Sequence, residues 1–229
     1  TTTGNSVSIS VPTATVGLFT YDLVSVSSAG LTSCSQTQSG SAVVTVEALP
    51  TATISGTTTI CTGSTAAITF NGTPNATVTY SVNGGANQTI VLNASGTASI
   101  TTTALTATTT YALVSVTASG TASCSQNVSG SAVVTVVALP TATISGTTTV
   151  CQDATGPSIT FTGANGAQPY TFTYNINGGA TQTVSTTTGN SVSVSVPTTT
   201  VGTFTYQLLS VSSATLSSCS QVQSGTALV

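Results

Sequence analysis

Residues 39–60 read SGSAVVTVEALPTATISGTTTI, and residues 129–150 read SGSAVVTVVALPTATISGTTTV. The two stretches differ only at Glu47/Val137 and Ile60/Val150. A second match, shifted by 185, joins TTTGNSVSIS at 1–10 to TTTGNSVSVS at 186–195. One unit of 90 residues and one of 95 account for both shifts. A fixed repeat settles domain organisation before any local reading. Residues 1–48 read as the C-terminal half of a unit, 49–138 as a complete unit, and 139–229 as a nearly complete one. The extra residues of the last unit are expected in a loop around 163–174. A half unit has no second sheet to cover its apolar face, so 1–48 is not expected to be stable alone. The natural chain is expected to continue on both sides.

Working outward from the repeat, the middle unit shows short alternating runs. Val78, Tyr80 and Val82 alternate with polar residues before the turn Asn83-Gly84-Gly85. Residues 88–92 alternate again, and Ala98 and Ile100 mark a further strand. Residues 66–70, 111–116 and 132–137 are apolar runs of strand length. About seven strands with turn signals between them indicate a β-sandwich. No segment keeps helical periodicity. The spacing of Leu105 and Tyr111 resembles the tyrosine corner of immunoglobulin-like and fibronectin-like sandwiches, with Tyr21 and Tyr206 at the same place in the other units. The expected fold class is therefore all-β: tandem immunoglobulin-like sandwich repeats of about 90 residues, forming an elongated rod.

The composition excludes several functions. The chain has no Lys, Arg or His, and three acids give a net charge of −3. Nucleic-acid backbones and anionic lipid surfaces both need cations on the protein, so neither is an expected partner. No apolar run reaches the ~20 residues of a membrane helix, so no membrane insertion is expected in this segment. Catalysis is not expected either. General acid–base chemistry at neutral pH normally uses His, and a nucleophilic Ser needs a base. Asp22, Glu47 and Asp153 occupy unrelated positions in the repeat, so they form no carboxylate site. No cofactor or metal site is expected, since the cysteines never come as C-x-x-C and no histidine is present. Five glycosylation sequons start at Asn71, Asn75, Asn87, Asn93 and Asn127, all in the middle unit.

The five cysteines fall at two places in the repeat. Cys61 and Cys151 are early; Cys34, Cys124 and Cys219 are late. The repeat phase favours Cys61–Cys124 and Cys151–Cys219 inside single units, with Cys34 pairing outside the segment. Each loop of this length contributes about 4 kcal/mol on the chain-entropy model and implies an oxidising compartment. Strict immunoglobulin topology opposes this pairing, because it puts the early and late cysteines at opposite poles. Either the first strand is broken at Gly56 and Gly146, or the bonds cross between neighbouring units. The 27-residue spacing of Cys34/Cys61 and of Cys124/Cys151 leaves junction staples open.

The longest internal match lies on the joint between units. Pro50 and Pro140 fix φ there, and Leu49 and Leu139 are expected to pack between units. Equal joints would stack neighbouring repeats regularly.

Residues 140–179, PTATISGTTTVCQDATGPSITFTGANGAQPYTFTYNINGG, resemble the tandem immunoglobulin-like or PKD-like repeats of very large Bacteroidetes surface proteins, the gliding-motility adhesins of the SprB type. The resemblance covers the whole chain. The middle unit departs from it in a shorter loop around Pro74. The resemblance implies export by the type IX secretion system, cell-surface anchoring, and a role in adhesion and gliding. It also implies the motility machinery and surface polysaccharide as partners beside the neighbouring repeats. Two other readings stay open: a structural filament or surface layer, and a spacer in a secreted enzyme.

Overall fold

The structure is a computed structural model and describes residues 5–28, 34–120, 122–214 and 219–229. It is all-β. The first unit contributes β1 (Gly17–Asp22), β2 (Ser25–Ser27), β3 (Ser35–Thr37) and β4 (Ser41–Val46). The middle unit contributes β5 (Ala52–Ser55), β6 (Thr58–Cys61), β7 (Ala67–Gly72), β8 (Thr77–Val82), β9 (Asn87–Val91), β10 (Thr97–Thr101), β11 (Thr109–Thr117), β12 (Ser125–Asn127) and β13 (Ser131–Val137). The last unit contributes β14 (Thr141–Ser145), β15 (Ser158–Ala164), β16 (Tyr170–Ile176), β17 (Gln182–Ser185), β18 (Ser191–Ser195), β19 (Thr205–Ser213), β20 (Ser220–Val222) and β21 (Thr226–Leu228). The longer loop of the last unit lies between β15 and β16. Among the described residues, no helix is long and apolar enough to cross a membrane.

The middle unit is a sandwich of two sheets, β10-β7-β5 and β6-β13-β11-β8-β9, with β12 also on β11. Alternation decides which side chains lie between them. Ile68, Phe70, Val78, Tyr80, Ala132 and Val134 point inward and are buried. The last unit repeats the plan with β14-β15-β18 against β17-β16-β19-β20. The same aromatic pair sits in both cores, Phe70 on Tyr80 and Phe161 on Tyr174, each with ring centroids 4.9 Å apart.

The mixed parity of residues 111–116 has a local cause. Leu113 faces Tyr80 and Ser115 faces Thr79, so Val114 is an extra residue. This bulge resets the alternation, and Leu113 and Val116 both reach the core. Leu209 is the extra residue at the same place in the last unit, between Leu208 and Ser210. In the first unit the same point separates β1 from β2.

The first unit shows what the opposing sheet contributes. Leu23 and Val26 are 50% and 54% exposed, while their middle-unit counterparts Leu113 and Val116 are 7% and 0% exposed. Among the described residues, β1 to β4 pair only with one another, as two short ribbons.

The tyrosine-corner expectation is corrected. Tyr111 and Tyr206 are buried as ring anchors of the core. The hydroxyls that hydrogen-bond are elsewhere: Tyr80 donates to Gln88 and Tyr174 to Gln182, both at 3.0 Å across β-hairpins, and Tyr170 donates to the Gly166 carbonyl.

The break in the first strand is the detail that matters for function. β5 pairs with β7 in one sheet, and β6 pairs with β13 in the other. The chain changes sheet at Gly56, where φ is +118°. A Cβ there would stand 2.4 Å from the Ala67 carbonyl oxygen. Gly146 repeats both features, with the Ser158 oxygen 2.4 Å away. Beyond Gly146 the chain also changes neighbours: the Thr148 amide donates to the Leu228 carbonyl and the Leu228 amide to the Thr147 hydroxyl.

Two outcomes are expected. Gly56→Ala combines a left-handed φ with a backbone clash, so it lowers middle-unit stability by roughly 2 kcal/mol or more, measured by denaturant unfolding. Burial pushes the hydroxyls of Tyr80, Tyr111, Tyr174 and Tyr206 above the usual tyrosine pKa; neighbouring Tyr80 adds to the effect on Tyr111, and Tyr174 to that on Tyr206. The folded state therefore holds these protons more tightly than the unfolded chain. Their contribution is complete below about pH 10, the unfolded value, and is lost as pH rises through the folded values. Denaturation midpoints of thiol-blocked protein, measured from pH 8 to 12, should fall only above that point.

Candidate functional site at the joint between units

The joint is assembled from three pieces of chain: the end of one unit, the start of the next, and a hairpin that folds back to meet them. β6 runs parallel to β13 and aligns Cys61 with Val137, the residue that opens the connection to the last unit. The Thr62 amide donates to the Val137 carbonyl at 2.8 Å and fixes this end. Cys61 therefore stands at the pole facing the next unit. The late cysteines stand at the opposite pole of their own units. Each begins the returning arm of a hairpin, and its carbonyl accepts from the outgoing arm: Ser28 to Cys34 at 3.0 Å, Ala118 to Cys124 at 2.8 Å, and Ser213 to Cys219 at 3.3 Å.

Cys61 and Cys219 meet across this joint. They form a disulfide with Cα atoms 5.6 Å apart, spanning a sequence separation of 158. This corrects the intra-unit pairings Cys61–Cys124 and Cys151–Cys219. Between Cys124 and Val137 the chain runs along β12 and β13. At ~3.3 Å per residue that places Cys61 and Cys124 roughly 40 Å apart, whereas bonded cysteines need Cα atoms within about 7 Å. The strand break at Gly56 does not bring them together; it carries Cys61 to the far pole. Cys34, Cys124 and Cys151 are free thiols, Cys34 and Cys151 exposed and Cys124 half-buried.

The joint residues divide by type. Pro50 and Pro140 are both buried. The Gln126 side chain donates to the Pro50 carbonyl at 2.6 Å. In the last unit the Ala142 amide donates to the Gln223 side chain at 3.1 Å. Each bond ties the first strand of a unit to its own hairpin. The leucine expectation is corrected in part: Leu49 is 59% exposed and Leu139 is half-buried, and neither belongs to a core. The two joints are thus not built alike. The glutamine contacts were missed in the sequence: Gln126 ends an SCSQ motif that recurs at 33–36 and 218–221, whereas Gln223 lies two residues beyond the motif.

Neutral groups carry the outward polarity. Hydroxyl pairs cross neighbouring strands at Thr69–Ser99, Thr160–Ser193, Thr162–Ser191 and Thr171–Ser185, at 3.1, 2.9, 2.9 and 2.8 Å. Among the described residues, no group of three His, Cys, Asp or Glu side chains is placed to hold a metal ion.

No family model matches the chain, and no curated protein matches it in sequence. Solved structures do match. One comes from a study of host cell surface retention of a 1.5-MDa bacterial ice-binding adhesin: TM-score 0.43, 14% identity, covering 80% of this chain and 64% of that one. Another is the native conformation of Escherichia coli α2-macroglobulin: TM-score 0.36, 10% identity, covering 84% of this chain and 17% of that one. The trypsin-activated form matches with TM-score 0.32 and 11% identity, covering 93% of this chain and 19% of that one. The chain therefore spans less than two thirds of each of these structures.

The staple closes a loop of 158 residues. Cys61→Ser is expected to cost up to about 5 kcal/mol on the chain-entropy model, read as a lower denaturation midpoint of oxidised protein. Cys124→Ser and Cys151→Ser should leave the midpoint unchanged. Equal losses from Cys61→Ser and Cys124→Ser would restore pairing within the unit.

Proposed function

We propose that this chain is a non-enzymatic repeat region, a stalk, of a large extracellular adhesin that acts in surface adhesion and gliding motility. The observation that carries this reading is the Cys61–Cys219 bond between consecutive sandwich units. A disulfide that joins structural modules suits an oxidising environment outside the cytoplasm. A linker sequence repeated at 39–60 and 129–150 suits a chain whose role is to extend. An uncharged surface is consistent with that role, because with 1% charged residues little of it responds to salt or pH. The sequence resemblance supplies the rest of the proposal, namely type IX secretion and attachment at the cell surface. In this reading the three repeats are consecutive domains, divided at 48/49 and 138/139.

A laterally assembling layer is the second reading. It is favoured by the edge strands β5, β9 and β10, which contain no charged residue, whereas sandwiches usually guard edges with charge.

Two measurements test these readings. Antibody against residues 49–229 should label intact cells of the source organism, and in-frame deletion of this region should impair attachment or gliding without loss of any enzyme activity. Intracellular labelling alone would refute the proposal. Sedimentation should give an elongated monomer at all concentrations; concentration-dependent assembly would favour the layer.

A further inference from the structure

The far pole of the last unit repeats the surface that forms the joint, but without a cover. Cys151 is exposed there. It lies beside a cleft of ≈ 110 Å³ lined in part by Val150, Pro197, Val201, Phe204 and Val229. Its middle-unit counterpart, Cys61, is buried, bonded to the hairpin cysteine of the unit that follows. The structure thus contains this surface once stapled and once bare.

Two observations identify the missing cover. Residues 1–44 match residues 186–229 at 34 of 44 positions, but match residues 91–134 at only 19. The first unit is therefore of the last unit's kind, and two kinds of unit alternate. Val16 and Phe19 stand in the first unit where Val201 and Phe204 stand in the last. The unit that follows the first is the middle one, and its hairpin already reaches back to it. The Glu47 carboxylate lies against Gly120, so close that a Cβ there would stand 2.8 Å from Oε2. Cys124 is four residues further along that hairpin. Cys124, like Cys151, carries a free thiol.

We propose that Cys151 is half of a second kind of inter-unit staple, and that its partner is the Cys124 of a following unit of the middle kind. Every joint then carries one bond, from the early cysteine of one unit to the late cysteine of the next. The two thiols give up two protons and two electrons as the S–S bond forms; a disulfide oxidant accepts both and leaves as two thiols. This inference rests on the repeat and the observed staple, and is independent of adhesion.

The test is a chain in which residues 45–229 are repeated directly after Val229, the counterpart of Val44. Cys34→Ser and Cys124→Ser in the original units leave the appended Cys124 as the sole member of its kind. After oxidation by glutathione disulfide, thiol blocking and chymotryptic mapping, Cys151 should be bonded to the appended Cys124. Cys61–Cys219 should be present in both copies, and one thiol, the appended Cys151, should remain. A free original Cys151, a Cys151–Cys219 bond, or a Cys151-linked dimer of two chains would each overturn the proposal. Loss of Cys61–Cys219 as well would show that the joint itself is wrongly described. With the appended Cys124 also changed to Ser, two thiols should remain.

Discussion

The architecture depends on one parallel strand pair. β6 lies beside β13 because the first strand of the unit leaves one sheet at Gly56 and joins the other. Only a residue without a side chain fits the turn, since a backbone oxygen occupies the place of a Cβ. That switch closes the sandwich, and it carries an early cysteine along the full height of the unit. A first strand that stayed in its original sheet would give the unit a similar core but no thiol at the outgoing pole.

The near absence of charge sets the second constraint. Ordinary domains satisfy their outer strands with water, salt bridges and long charged side chains. Here short hydroxyl side chains pair across strands, as Thr160 does with Ser193 and Thr162 with Ser191. Cohesion between units cannot come from ion pairs when no cation is present. It comes instead from the covalent Cys61–Cys219 bond, while the amide side chains of Gln126 and Gln223 hold the first strand of each unit to its own hairpin.

Much of the fold was legible in the sequence because its signals are local and repeated. Period-two alternation located β8 to β10, and turn residues separated them. The apolar residues at 111–116 defied simple alternation because a bulge at Val114 inserts one residue, and a bulge leaves no sign in composition. The disulfide was legible only in part. The repeat phase located the cysteines, and topology warned that partners in one unit lie at opposite poles. The pairing itself depends on how far the hairpin of one unit reaches over its neighbour, which no spacing encodes. Leu49 and Leu139 are identical in sequence and differ in burial for a related reason: a joint's surroundings come from residues distant in the chain.

The staple also changes what stretching does to the molecule. Cys61 and Cys219 are joined sulfur to sulfur, so a pull on the two ends bypasses the 158 residues of separation between them. Without the bond, rupture of those sheets would let out roughly 520–570 Å of slack. With it, the sandwiches can lose their structure and the distance between the ends hardly grows. From Cys61 to Cys219 the chain behaves as a tether of fixed length, and its compliance there is set by the reducing power of its surroundings.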